Sequence, residues 1–328
     1  RYRNASIFVP KKNGKSSVSA AIAIYMLLAD KEPMAEVFSV AADRTQAGIV
    51  FRDAAALVRA SPELSQVCEI IDSRQTILHR GSMSRYTCLS SEAHRAEGVN
   101  ASCVIFDEIH AQRDDRLYRA IQYSTASREN PLFLTISTAG AGRPPNAIWY
   151  QLWQYAERVA ADPSVDPRFF GRIWSANPEI EDEEEYFTSE KIWREANPSL
   201  GHTISLESFA ADALAAKNSA SSRGPFLRYR LNVPSEADTR WISPLSWANN
   251  TRPHSGPLAG RKCWGGLDLA STRDITAFVT IFPVPDSDEF DVDAAFFIPE
   301  DNVREREIRD RVPYGEWIKS GHIITTPG

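Results

Sequence analysis

Short β-rich apolar runs alternate with stretches of helical periodicity over roughly the first 140 residues, the pattern of a parallel sheet covered by helices. The runs that predict strands are Ala5 to Val9, Glu36 to Ala42, Gln75 to His79, Arg85 to Ser90, Ser102 to Phe106 and Leu132 to Ser137. Between the first two, Lys15 to Leu28 reads as a helix. After the second, Thr45 to Arg59 places Ala47, Phe51, Ala54 and Val58 on one helical face. From Ala147 to Ala161, the apolar positions Trp149, Leu152, Trp153, Ala156 and Val159 recur at helical spacing and read as core packing rather than a base-stacking surface.

Beyond this region the pattern changes. The acidic run Glu179 to Glu185 reads as a solvated loop. Ser205 is placed to cap a helix reaching about Ser219, and the small and breaking residues from Ser219 to Pro225 separate it from another short helix. The Pro- and Gly-rich run Thr251 to Gly260 reads as a linker. Three strand patterns follow, Cys263 to Leu269, Ile275 to Phe282 and Phe290 to Pro299, with a strand-like run from His322 to Thr326. The expected organisation is an α/β core over 1–160, a helical connecting subdomain over 161–258 and the start of a second α/β domain over 259–328. Because the chain starts at Arg1 without methionine and stops at Gly328 just after that last run, it reads as a fragment.

Composition narrows the classes. With 328 residues, 43% hydrophobic, 24% charged and a net charge of -6, the chain reads as an ordinary soluble protein without a basic or acidic tail. Any nucleic-acid contact must come from a local patch, and Arg223, Arg228 and Arg230 are the candidates, against the favoured reading of solvated surface arginines. Cys68, Cys88, Cys103 and Cys263 lie far apart in sequence and read as buried, reduced thiols. The longest apolar stretch, Ala20 to Ala29, is too short to span a bilayer, so the expected location is cytoplasmic, with no membrane partner.

The first chemical motif is Pro10, Lys11, Lys12, Asn13, Gly14, Lys15, Ser16 and Ser17, which leaves a strand and opens a helix. Backbone N–H groups at such a helix start hold phosphate oxygens, Lys15 neutralises the β- and γ-phosphates of ATP, and Ser16 ligates Mg²⁺. Val9 stands where the first glycine of the standard motif belongs. The second motif is Cys103 to Glu108, an apolar strand ending in two carboxylates. In this reading Asp107 holds the Mg²⁺ and Glu108 polarises the attacking water. Phosphoryl transfer also calls for a further cation. Lys11 and Lys12 are candidates in cis, Arg44 is another, and Arg95 reads equally as a residue reaching a neighbouring subunit or as a solvated arginine. Thr138, at the end of the next strand, is placed to sense the γ-phosphate.

A further motif is Gly265 to Ala270, with Asp268 inside an apolar strand and Asp274 just before the next strand. A carboxylate in such a strand needs a metal or a hydrogen-bond partner. The pattern fits the first hairpin of a ribonuclease-H-like fold, in which acids converge on divalent metals, with a capped strand end as the alternative reading.

Taken together, Val9 to Ser16, Ile105 to His110, Ser137 to Gly140 and Gly265 to Thr272 resemble, in order, the blocks of the large terminase subunits of tailed bacteriophages and related proviruses. Ala41 to Ala47, Asn197 to Leu200 and Thr239 to Ile242 are also similar, so the likeness runs along essentially the whole chain. The resemblance implies an α/β fold: a P-loop NTPase, with helices on both faces of a parallel sheet, followed by a partial ribonuclease-H-like nuclease domain. It implies a motor that translocates double-stranded DNA through a portal into a procapsid in the host cytoplasm, working with a small terminase subunit and assembling as a homo-oligomeric ring. It also implies a nuclease using Mg²⁺ or Mn²⁺. By the same likeness Lys15, Ser16, Asp107 and Glu108 are hydrolysis residues, Thr138 lies in a coupling segment, and Asp268 with Asp274 belongs to the nuclease site.

The family's remaining nuclease carboxylates fall beyond Gly328, so the expectation for a chain ending there is an ATPase fold without DNA cleavage. The segment that helps to enclose the adenine is also missing ahead of the first strand, which lowers the expected nucleotide affinity. The competing readings are a helicase-like nucleic-acid-dependent ATPase and a provirus assembly subunit without turnover.

Overall fold

The computed structural model describes all residues except 43, 90–98, 113, 179, 181, 235–246, 248–249, 271–273, 311 and 328, together with the side chains at 44, 45, 220, 308 and 309. It divides into two compact units, Arg1–Trp241 and Ile242–Gly328.

The first unit is built on an eight-stranded sheet. Its strands are β1 (Asn4–Phe8), β2 (Glu36–Val40), β3 (Cys68–Ile71), β4 (Thr76–His79), β5 (Ser84–Leu89), β6 (Cys103–Asp107), β7 (Leu132–Ser137) and β8 (Phe169–Ile173). The order is β3-β4-β5-β2-β6-β7-β1-β8. From β5 to β8 every pairing is parallel. β5 keeps the expected parallel pairing with β2, but β4 runs antiparallel to β3, and the Gln75–His79 and Arg85–Ser90 runs pair with each other in antiparallel fashion. The short connection between β4 and β5 allows only that arrangement, since a parallel return needs a crossover of a dozen residues or more. The strand Leu132–Ser137 has the expected ends, and the other predicted strands of this sheet differ by one or two residues at one or both ends.

Strand alternation divides the core in two. Cys103 and Ile105 of β6 join Val37, Leu134, Ile77 and Tyr86 under the helices α1 (Lys15–Leu28) and α2 (Arg44–Ala60). Val104 and Phe106 face the other way, against α4 (Arg116–Gln122) and α5 (Ile148–Ala161). Because β6 is covered on both faces it reads as an unbroken apolar run, the hallmark of a central parallel strand. Trp149 and Trp153 are buried against Phe8 and Phe133, as their spacing predicted. α5 also lies close on β8. A Cβ at Gly171 would come within 2.7 Å of the Ala156 carbonyl oxygen, so only glycine permits this approach.

After β8 come α6 (Glu185–Thr188), α7 (Glu190–Ala196), α8 (Leu206–Asn218) and α9 (Ala220–Leu231), packed around Phe209, Trp193, Phe226 and Leu231. The Ser205 hydroxyl caps α8 as expected, accepting from Ser208 N. The break falls at Ser219 alone, and Gly224 and Pro225 lie inside α9. Pro225 is the sixth residue of that helix, past the first turn, so its missing N–H costs the helix one backbone hydrogen bond. In the acidic run, Glu179 and Glu181 lie outside the described residues, whereas Glu184 pairs with Lys217 at 3.0 Å and Glu185 opens α6. The short elements α3 (Pro62–Val67), β3, β8, α6 and α7 carry too few residues to establish a period and went unpredicted.

The second unit is a four-stranded sheet of order β12-β11-β10-β9, made of β9 (Trp264–Asp268), β10 (Thr276–Pro283), β11 (Phe290–Pro299) and β12 (Ile324–Thr326). β9 to β11 form an antiparallel meander, and β12 runs parallel to β11. Ile298, Tyr314 and Ile323 form its small core, with α10 (Val303–Asp310) and α11 (Tyr314–Lys319) nearby in sequence. Part of the run read as a linker is pinned: Ser255 donates through its N–H and hydroxyl to the buried Asp291, which also pairs with Arg261 at 2.7 Å. Of the cysteines, Cys88 and Cys103 are buried, Cys68 is half-buried and Cys263 is exposed, correcting the expectation for the last two. Among the described residues no helix is long and apolar enough to cross a membrane.

Candidate active site

β1, β6 and β7 end side by side, and their last residues with the turns that follow form the site. Val9 N donates to Ser137 O at 3.0 Å, tying the loop after β1 to the end of β7. The loop then turns through two left-handed residues, Lys12 (φ 71) and Gly14 (φ 78). Gly14 is the N-cap of α1 and provides no side-chain cap, so the first N–H groups of the helix keep their capacity for an anion.

Lys15 is only 8% exposed, and its Nζ lies 3.2 Å from Val9 O, 3.3 Å from Pro10 O and 3.5 Å from Glu108 Oε1. Burial lowers its pKa, opposed by the charges of Glu108 and Asp107. Asp107 is 5% exposed, and its Oδ1 has no hydrogen-bond partner among the described residues. Burial, followed by the neighbouring Glu108 charge, pushes its carboxyl up to about 7.

Glu108 occupies the left-handed region (φ 50), which turns its side chain back across the strand ends. Its Oε2 lies 2.9 Å from His110 Nδ1 and accepts from Thr138 N and Thr138 Oγ1, each at 3.3 Å. Burial works to raise the Glu108 carboxyl, but the His110 hydrogen bond and the Lys15 charge outweigh it and hold the group at about 2. His110 Nδ1 also lies 3.0 Å from Ser137 Oγ, so the ends of β6 and β7 share one polar cluster.

A second layer comes from the helical region. Asn13 Nδ2 donates to Asn197 Oδ1 at 2.8 Å, and Asn13 Oδ1 accepts from Ser199 N at 3.1 Å. Asn197 in turn donates to Arg230 O at 2.7 Å. Lys11 N donates to Tyr229 O at 3.0 Å, and the Lys11 ammonium lies 3.7 Å from the centre of the Tyr229 ring. Ala139, next to Thr138, is held at both backbone groups. Its N–H donates to Asn232 Oδ1 at 2.7 Å and its carbonyl accepts from Arg228 Nε at 3.0 Å. The last turn of α9 and its cap therefore touch both the phosphate loop and the segment after β7.

The structure thus brings together Lys15, Asp107, Glu108 and Thr138 from distant stretches of sequence. Pro10, Asn13 and Gly14 shape the loop, and Ser16 is half-buried at its helix start. The Ser17 hydroxyl faces α2 instead, donating to Asp53 at 3.3 Å, which leaves only its backbone for a phosphate. Lys12 is exposed, while Arg95 and the Arg44 side chain lie outside what is described. Of the arginines considered for DNA, Arg230 is bonded to Asp212, Arg228 to Ala139 and Arg223 to Lys217 O. His110, Asn197 and Asn232 are functional-looking positions that sequence reasoning did not single out. His110 and Asn197 stood inside blocks already noticed, but nothing in one sequence says that a histidine two residues after a glutamate bonds back to it.

In the second unit the expectation for Asp268 changes. It is the last residue of β9, opposite Ala277, and it is exposed, because β9 is an uncovered edge strand. Asp274 follows in a left-handed turn (φ 75) and is also exposed. Among the described residues no group of three or more metal-ligating side chains is assembled.

A family model described as the ATPase domain of the terminase large subunit matches residues 1–158, and a model of its endonuclease domain matches residues 168–326. The chain belongs to the terminase large-subunit family. Among terminase relatives, the large subunit of Enterobacteria phage HK97 is 29% identical over 328 residues, 99% of this chain and 62% of that protein. Its solved structure superposes with a TM-score of 0.62 at 28% identity, over 100% of this chain and 66% of that one. Protein YmfN of Escherichia coli (strain K12) is 22% identical over 250 residues, 73% of this chain and 53% of that protein. The chain therefore spans less than two thirds of these relatives' length. The terminase ATPase match carries the loop, the β6 carboxylates and Thr138. The terminase endonuclease match begins before β8 and so includes the helical region as well as the second sheet.

Proposed function

We propose that this chain is the ATP-hydrolysing motor of viral genome packaging, translocating double-stranded DNA through a portal into a procapsid as part of a homo-oligomeric ring. In that setting it works with a small terminase subunit in the host cytoplasm. The observation that carries the reading is the buried contact of Lys15 with Glu108 beside the unpartnered Asp107 Oδ1. Such an orphaned, buried carboxylate oxygen fits a divalent cation, so Asp107 and Ser16 are the residues that would hold Mg²⁺. When bound, the ion offsets charge on the β- and γ-phosphates. Residues 1–160 serve as the hydrolysis core and 161–258 as the connecting region.

Lys15 is drawn to the phosphates, and a γ-phosphate competing for its ammonium weakens the ion pair with Glu108. Glu108, kept ionised and aimed by His110 and Thr138, then accepts a hydrogen bond from the attacking water and orients it. Thr138 bonds Glu108 directly, so loss of the γ-phosphate is passed through Ala139 to the last turn of α9. Arg95, Lys11 or Lys12 supplies the additional cation. The test is phosphate release by Glu108→Gln. Turnover falls by a factor of about 10² to 10⁴ while nucleotide binding persists. Unchanged turnover would overturn the assignment.

For the second unit we propose a metal-dependent endonuclease that cuts concatemeric DNA, with Asp268 and Asp274 among its ligands for Mg²⁺ or Mn²⁺. Support comes from the terminase endonuclease match and from the exposure of both carboxylates at one end of β9 and β10. Mn²⁺ titration followed by calorimetry should show weaker binding in Asp268→Asn.

A further inference from the structure

Arg306 on α10 is only 7% exposed, an unusual degree of burial for a guanidinium. Its Nε donates to Asn302 Oδ1 at 2.9 Å and its Nη1 to the Asp274 carbonyl oxygen at 2.9 Å. Both acceptors are neutral. Among the described residues no carboxylate forms an ion pair with it. A buried charge without a counter-charge is strongly unfavourable, and a guanidinium has five N–H donors, of which these bonds use two.

The remaining donors belong to a residue that lines a cavity of about 180 Å³, together with Ala270, Thr276, Phe297, Pro299 and Thr326. Among the described residues that line it, none is acidic. Two hydroxyls do: Thr276 Oγ1 accepts from Ala270 N at 3.2 Å, and Thr326 Oγ1 donates to Ile298 O at 3.5 Å. The cavity lies at the end of the sheet where β9 hands over to β10, and Arg306 holds the carbonyl of Asp274 itself.

We propose that this cavity is a phosphate-binding subsite, in which Arg306 takes the oxygens of a phosphate group through its free N–H donors and the Thr276 hydroxyl faces the same group. A planar guanidinium fork matches a tetrahedral oxyanion with two parallel hydrogen bonds, and the missing counter-charge is then provided by the ligand. The same side chain binds the phosphate and holds the Asp274 carbonyl, so occupancy of the cavity is coupled to the position of Asp274. In the nuclease reading, on which this last role rests, the phosphate is a backbone phosphodiester of DNA.

The experiment uses the full chain in a Lys15→Ala background, so that the loop before α1 contributes little to phosphate binding. Inorganic phosphate is titrated against the melting temperature, and a short double-stranded DNA against fluorescence anisotropy at two salt concentrations. Phosphate raises the melting temperature of the parent, and Arg306→Gln abolishes that rise. If the source is DNA, Arg306→Gln also weakens duplex binding several-fold and reduces the salt slope by about 1. A phosphate effect without a DNA effect supports the subsite with a free phosphate compound as its ligand. Arg306→Lys, which keeps the charge and loses the fork, guards against simple misfolding and retains only part of the effect. An equal phosphate response in the parent, Arg306→Gln and Arg306→Lys would overturn the subsite. Absence of metal-dependent cleavage alongside a normal phosphate response would count against the nuclease reading and leave the subsite standing.

Discussion

Lys15, Asp107 and Glu108 share one buried space, where burial lowers the Lys15 pKa and works to raise both carboxyls, yet the two carboxyls end far apart. Glu108 is held near 2 by His110 and Lys15 against the pull of burial, so it stays ionised at any pH where the protein is handled. For Asp107, burial and the Glu108 charge outweigh the Lys15 charge and a backbone hydrogen bond at Glu108, and its carboxyl rises from 3.8 to about 7. The sign follows directly. The folded chain favours protonated Asp107, so this group's contribution to stability is fully present below 3.8 and is lost as pH rises through about 7. The loss has an upper bound of about 4 kcal/mol. Asp107→Asn removes that loss, and in thermal melts it should raise the ligand-free melting temperature most above about pH 7, with the gain shrinking steadily toward about pH 4. A gain that does not vary with pH would show that ionisation of Asp107 is not its cause. The same substitution should abolish the additional stabilisation given by Mg²⁺ with ATP.

At the scale of elements, the last turn of α9 is the junction between the helical region and the site. Asn232 caps α9 in the left-handed region (φ 57), receives Ala139 N and donates to Trp174 O at 2.8 Å. Asparagine tolerates that backbone, and its amide satisfies two buried backbone groups at once. Asn232→Ala strands both groups, and each buried unsatisfied group costs about 1 to 3 kcal/mol. The expected outcome is a clear drop in the denaturant midpoint together with a lower kcat and a nearly unchanged KM for ATP. Asn232→Gly should recover the backbone strain without recovering the hydrogen bonds. A variant with wild-type stability and turnover would show that Ala139 is held by other means.

Across the whole molecule, the two units differ in how well they cover their sheets. The central strands of the first are enclosed by helices, whereas in the second Trp264 and Leu267 of the edge strand β9 and Leu269 just after it are 51%, 61% and 72% exposed. An uncovered apolar edge strand favours pairing with another chain, and charge on that strand blocks it. Leu267→Lys with Leu269→Lys should therefore reduce concentration-dependent light scattering while leaving ATP hydrolysis by the first unit unchanged. Scattering as strong as in the parent chain would place the adhesive surface elsewhere.

Local signals in the chain were enough to determine the α/β class, the helix from Lys15 to Leu28, the apolar β6 strand and the Gly-Lys-Ser and Asp-Glu motifs proposed for hydrolysis. These depend on residue spacing and on chemistry carried by neighbours in sequence. The antiparallel hairpin of β4 and β5 and the exposure of Asp268 depend instead on which strands lie side by side and which are left at an edge. The His110 bond to Glu108, the Asn197 and Asn232 contacts and the buried Arg306 join residues whose pairing no period encodes. Only the tertiary structure decided them, because a polar side chain's partner is selected by where packing leaves a buried donor or acceptor in need of one.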